Sequence, residues 1–247
     1  MIVSVCYLFL FLFVGLLLAR RAVPDADSAV LLPLGCGLGV SLLAVLPALF
    51  ALPFGFTLPA AGLAGAAAAV LGGVLLRCGT RLRGAAKDPD RGASWACLLP
   101  VAAVTLFLLH THVLHTVNGT LHTGQSCYGD MPMHLGFIRY IAQSGEFPPR
   151  YPLLGGAHRF GYPFLCETVS SVFLLLGADL RTAYLLPMLP AFLSVYGPPR
   201  DGQRCQSKPC VLSVFYGQWV RVCVFSRLRR GFCGHLHRFL HNTDQFC

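Results

Sequence analysis

The sequence predicts an all-α, polytopic transmembrane helical protein with an extracytoplasmic loop carrying short interfacial helices. Three observations lead there. Of the 247 residues, 55% are hydrophobic and 12% charged, with a mean hydropathy of +0.64, far from the composition of a soluble globular domain. Four apolar runs, residues 2–19, 30–52, 56–76 and 95–114, approach or reach the roughly 20 residues that a helix needs to cross about 30 Å of hydrocarbon. None of them alternates polar and apolar residues as the strands of a membrane barrel do, and only helices or closed barrels satisfy their backbone in lipid.

The first run has no basic residue before it and Arg20-Arg21 after it, the reverse of a secretory signal's charge order, so it is expected as a retained span. Arg20 and Arg21 lie in one connection, and Arg77, Arg81, Arg83, Lys87 and Arg91 lie two spans later, while the link 52–55 is uncharged. Basic residues collect on the cytoplasmic side, which puts the amino terminus outside and, four crossings later, residues 115–161 on the extracytoplasmic face. Two shorter apolar runs, 162–176 and 183–196, complete six expected spans. The glycines between Gly62 and Gly73 are small residues of the kind found where spanning helices pack closely.

Composition changes after Gly197. Residues 198–247 carry Arg200, Arg204, Lys208, Arg221, Arg227, Arg229, Arg230 and Arg238 against only Asp201 and Asp244, on the side where the orientation rule disfavours such a load. No sustained period of 3.6 or 2 predicts packed structure there. One explanation is a slip of the reading frame near residue 197, since one permitted back-translation of residues 215–246, read a nucleotide later, yields a membrane-like sequence. The other is a genuine basic tail that meets anionic lipid or nucleic acid. The tail lacks the motifs of a nucleic-acid-binding arm, so a lipid bilayer and not nucleic acid is the expected partner.

Eleven cysteines include no CxxC pair, and Cys6, Cys36, Cys78, Cys97 and Cys166 lie in or beside apolar runs, where a thiol is a small hydrophobe. His110, His112, His115 and His122 crowd the end of the fourth run, with His112 and His115 spaced to share a helix face and, with His122, to hold a transition metal. Asn118-Gly119-Thr120 reads as a glycosylation acceptor if the loop faces a eukaryotic lumen. No nucleotide-cradling glycine loop occurs. The spans through Leu114 carry no interior charge of the kind an ion pathway needs, which favours an interfacial enzyme.

Within the external loop, Ser126-Cys127-Tyr128-Gly129-Asp130-Met131-Pro132-Met133-His134 places a carboxylate on a turn and an imidazole at the start of a helical pattern. Met133, Phe137, Ile138 and Ile141 fall on one stripe, so residues 133–144 are a candidate amphipathic helix at the interface. The prolines at 148, 149 and 152 end it. Asp130 has two readings, helix cap and catalytic carboxylate. Arg139, Arg150 and Arg159 are placed to touch headgroups, and Glu146, in Ser-Gly-Glu-Phe-Pro-Pro, to sit on an exposed turn.

The stretch YGDMPMHLGFIRYIAQSGEFPPRYPLLGG and the GYPFL entry into the next run resemble bacterial integral-membrane glycosyltransferases that take sugars from polyprenyl-phosphate carriers, a class that includes protein O-mannosyltransferases. The resemblance covers residues 121–197. It implies a plasma-membrane, multi-pass transferase with Asp130 as general base for the acceptor hydroxyl or as ligand of a divalent metal ion. It further implies His134 as the group that orients Asp130 or binds phosphate, His158 and Arg159 as counter-charges to the leaving phosphate, and Glu146 as a second carboxylate. Two departures stand out: three further spans precede the loop, and Met131 occupies the place of a second acid. Members of the class continue for several more spans, so a chain truncated or frameshifted after about residue 197 would lack half of the donor cavity. A non-enzymatic membrane component or an inactive fragment is the alternative.

Overall fold

A computed structural model describes residues 1–24, 26, 28–79, 91–124, 129–152, 158 and 160–196. The tail from 198 onward, the basic residues 81–87 and Arg159 lie outside the described residues. The described chain is helical apart from one antiparallel hairpin. Helices α1 (Ile2–Ala22), α2 (Ser28–Phe54) and α3 (Leu58–Arg77) grow from the first three apolar runs, and each is long and apolar enough to cross a bilayer.

Small residues set how these three helices meet. A Cβ on Gly15 would stand 2.3 Å from the backbone oxygen of Gly35 and 2.4 Å from the amide nitrogen of Gly39, and one on Gly39 would stand 2.8 Å from Phe11 O. Gly35 and Gly39 are four apart on α2, the small-xxx-small spacing that lets two backbones approach. Helix α3 turns Ala60, Ala61, Ala64, Gly65 and Ala68 inward, and the Tyr7 hydroxyl of α1 donates to Ala61 O at 2.8 Å. Of the glycine-rich run, Gly65 meets the Tyr7 ring and Gly72 meets Val14, whereas Gly62 and Gly73 have open space. Three prolines, Pro33, Pro47 and Pro53, stay inside α2.

The fourth run gives α4 (Arg91–Leu108), which widens into one π-helical turn, Leu109–Val113, and then leaves helix altogether. Residues 114–123 form a hairpin, β1 (Leu114–Val117) paired with β2 (Thr120–Thr123), with Leu114 opposite Thr123 and His115 opposite His122. Asn118 and Gly119 both take positive φ, 50° and 80°, as a two-residue hairpin turn demands. Helix α5 (Met131–Ser144) buries Met131, Phe137, Ile138 and Ile141 and stops at Gly145, whose φ of 68° is left-handed. Met131, not Met133, thus begins the buried stripe.

The last two runs do not make helices of spanning length. Helix α6 (Leu165–Leu175) has 11 residues, roughly 16 Å at 1.5 Å per residue, about half of the hydrocarbon thickness. Residues 180–196 form two pieces, α7 (Leu180–Leu185) and α8 (Met188–Tyr196), parted at Leu186-Pro187, because proline has no N–H to continue the ladder of α7. Pro187 instead opens α8, its carbonyl accepting from Ala191 N–H at 3.1 Å. The core joins α1, α2, α3, α5 and α6 through Tyr7, Phe11, Leu43, Ala61, Ile141 and Phe173, with Phe56 of the α2–α3 link.

Arg181 of α7 ties the hairpin to this body. Its Nε donates to Leu114 O at 2.9 Å, and Nη2 lies 3.1 Å from His110 O and 2.9 Å from His110 Nδ1. The guanidinium therefore bridges a carbonyl of the π-helical turn and one of β1. Arg181→Ala is expected to destabilise that junction by about 1–2 kcal/mol, read as faster amide exchange at residues 114–123 with α1–α3 unchanged.

Candidate functional site

The stretch 129–134 begins α5 as the sequence implies, with Pro132 in the first turn where its missing N–H is harmless. Asp130 precedes the helix, and its backbone oxygen accepts from His134 N–H at 3.1 Å. Its carboxylate makes no capping hydrogen bond and is exposed. Of the two sequence readings for Asp130, the side-chain cap is not formed.

His134 Nδ1 bonds Glu167 and not Asp130. It lies 2.7 Å from Oε1 of Glu167, in the first turn of α6, and the pair is unequally covered: Glu167 is 4% exposed and His134 28%. The other carboxylate oxygen, Oε2, lies 2.8 Å from the Cys166 sulfur. Burial, and then the hydrogen bond and charge of Glu167, push the Cys166 thiol up to about 12. Cys166 is thus a thiol that donates to Glu167 and not a thiolate nucleophile. The packing of α5 on α6 holds the pair in place, with Ser171 Oγ 3.0 Å from Ile138 O and 2.7 Å from Glu167 O.

Tyr162 stands edge-on to the His134 ring, with centroids 5.8 Å apart. Its phenol is raised above the ordinary tyrosine range by desolvation first and then by the carboxylate of Glu167. Beyond Tyr162 the rings of Phe160, Phe137 and Tyr151 continue as a cluster, Phe137 meeting Phe160 edge-on at 4.7 Å.

The other expected site residues fall elsewhere. Glu146 accepts from Arg150 Nε at 3.0 Å, and both side chains are well exposed, so the pair adds little stability and occupies the carboxylate. His158 is exposed, and its carbonyl accepts from Tyr151 N–H at 3.1 Å. Arg159 is outside the described residues. His115 and His122 stack across the hairpin at 5.9 Å, the Oγ1 of Thr120 meets His122 Nε2 at 2.7 Å, and His110 meets Arg181. Among the described residues no group of three or more His, Cys, Asp or Glu side chains gathers as a metal site would require.

Glu167 is the group that sequence reasoning missed. The available signal was a lone acid inside an apolar run, where ionisable residues are expensive and commonly functional. Removing either partner leaves a largely buried polar group unsatisfied. Glu167→Leu and His134→Ala are each expected to destabilise by about 1–3 kcal/mol, and the double variant by clearly less than the sum, measured by denaturation in detergent.

Compared with protein families, with curated proteins and with solved structures, the chain matches none of them.

Proposed function

We propose that this chain is a multi-pass protein of the bacterial plasma membrane that transfers a sugar from a lipid-phosphate donor to an acceptor hydroxyl on the extracytoplasmic face. The observation that carries the reading is the exposed, uncapped Asp130 carboxylate, one helical turn from an imidazole held by a buried glutamate. Three helices of spanning length and an amphipathic α5 support its placement at a membrane surface.

In the proposed reaction Asp130 takes the proton of the acceptor hydroxyl as its oxygen attacks the anomeric carbon. The bond from that carbon to the phosphate oxygen breaks, and the lipid phosphate departs with the electron pair. Glu167 accepting the Nδ1 proton of His134 fixes the tautomer and the ring, which leaves Nε2 to exchange a proton or hydrogen bond with the phosphate. His158 and Arg159 supply positive charge or hydrogen-bond donors to the leaving group. Tyr162 and Phe160 offer faces for the sugar ring or the first units of the lipid chain.

The test is turnover of a labelled polyprenyl-phosphate sugar by purified protein in lipid nanodiscs, with and without Asp130→Asn. Sugar transfer that depends on Asp130 supports the reading. Absence of transfer with every such donor, or equal product from the variant, turns it toward a non-enzymatic membrane component.

A further inference from the structure

We propose that a pocket on the opposite side of α5 from His134 binds the phosphate and upper acyl chains of an anionic phospholipid. The pocket has a volume of about 330 Å³ and is lined by Arg139, Ala142 and Gln143 of α5 and by Leu174, Leu175 and Leu180 at the corner between α6 and α7. Arg139 and Gln143 are one turn apart on the same helix face, and Arg139 lies about 140° around α5 from His134 at 100° per residue. The pocket is therefore separate from the candidate catalytic groups. The proposal rests on the reading of the chain as membrane-embedded.

Charge and lining select the occupant. Arg139 is exposed and has no ion pair or hydrogen bond among the described residues, and Gln143 beside it is exposed too. The charged groups of the adjoining α7 are already engaged: Asp179 accepts from Thr182 N–H at 3.0 Å, and Arg181 is bound to Leu114 and His110. One uncommitted guanidinium and one amide thus stand over three leucines. A soluble anion would use the first two and leave the leucines wet, whereas a wholly apolar ligand would leave the cation unmatched. A phospholipid satisfies both halves, since guanidinium binds phosphate through paired N–H donors and the acyl chains cover the leucines. Anionic headgroups are preferred over zwitterionic ones because phosphatidylcholine brings its own ammonium to the same phosphate.

The experiment uses the full chain with Trp95 and Trp219 replaced by Phe and a single reporter, Leu180→Trp, reconstituted in phosphatidylcholine vesicles. Part of the lipid is replaced by brominated phosphatidylglycerol or brominated phosphatidylcholine, and quenching of the reporter gives the relative affinity of each. The expected result is an approximately fivefold preference for phosphatidylglycerol, abolished by Arg139→Gln and kept by Arg139→Lys. A second reporter, Leu174→Trp, carries the same test if the first variant does not fold. Equal quenching by the two lipids, or a preference that survives Arg139→Gln, overturns the lipid site and leaves the membrane reading standing. Loss of the preference on adding millimolar inorganic phosphate identifies a soluble-anion site and overturns the proposal. Quenching by neither lipid overturns the proposal together with the membrane placement on which it rests.

Discussion

Asp130→Asn is expected to lower kcat for transfer from a polyprenyl-phosphate sugar by about 10²- to 10⁴-fold, the range that a positioned general base supplies. Asparagine keeps the shape and the backbone contact to His134 while removing the site for the proton. Because the Asp130 side chain is exposed and makes no capping bond, the variant should unfold at the same denaturant or temperature midpoint as the parent. That combination separates a chemical loss from a structural one. A carboxylate acting on the proton lowers kcat with KM little changed; a rise in KM at constant kcat would assign Asp130 to substrate binding and remove the base.

The largest effect on stability is expected at Gly15. Adding a single carbon there drives it to 2.3 Å from Gly35 O and 2.4 Å from Gly39 N, and these are backbone atoms that cannot rotate aside. Helices α1 and α2 must separate, which strips contacts from Phe11 and Leu43, both fully buried in the shared core. Gly15→Ala is expected to destabilise by about 3 kcal/mol, the upper end for overpacking, and Gly15→Val by more. Gly62→Ala is the control, since a Cβ there meets nothing within 4 Å. It should leave the midpoint unchanged or raise it slightly, because alanine is the better helix former. Equal midpoints for the Gly15 and Gly62 variants in detergent denaturation would remove the close contact of α1 and α2 from the account.

What the sequence revealed follows the range of the forces involved. α1, α2 and α3 are written in uninterrupted apolar runs, a signal contained within each helix. α5 was readable from its stripe and from the glycine and prolines that follow it. The hairpin was missed although Asn118-Gly119 is a strong short-range turn signal, because the same residues open a tripeptide that reads as a modification motif. The break between α7 and α8 was not legible because hydropathy records apolar content, whereas Pro187 decides where α7 stops. Asp130 and His134 stood out by local context. Their neighbour Glu167 did not, because its pairing with His134 spans 33 residues of chain and arises only when α5 packs on α6. The close contact at Gly15 belongs to the same class: neither Gly15 nor Gly39 is unusual in its own helix, and their meaning appears only when the two helices touch.

The anchoring of α5 bears on how anything reaches Asp130. At its far end Gly145 O accepts from Phe56 N–H at 2.9 Å, on the bend between α2 and α3, and near its start His134 grips Glu167. A beam fastened at both ends does not swing like a door, since rotating it would break a main-chain hydrogen bond at one end and the His134–Glu167 hydrogen bond at the other. Entry without such a motion is already available, because the Asp130 carboxylate stands at the surface in the resting conformation. In the proposed reaction, then, a donor would reach this carboxylate without any swing of α5.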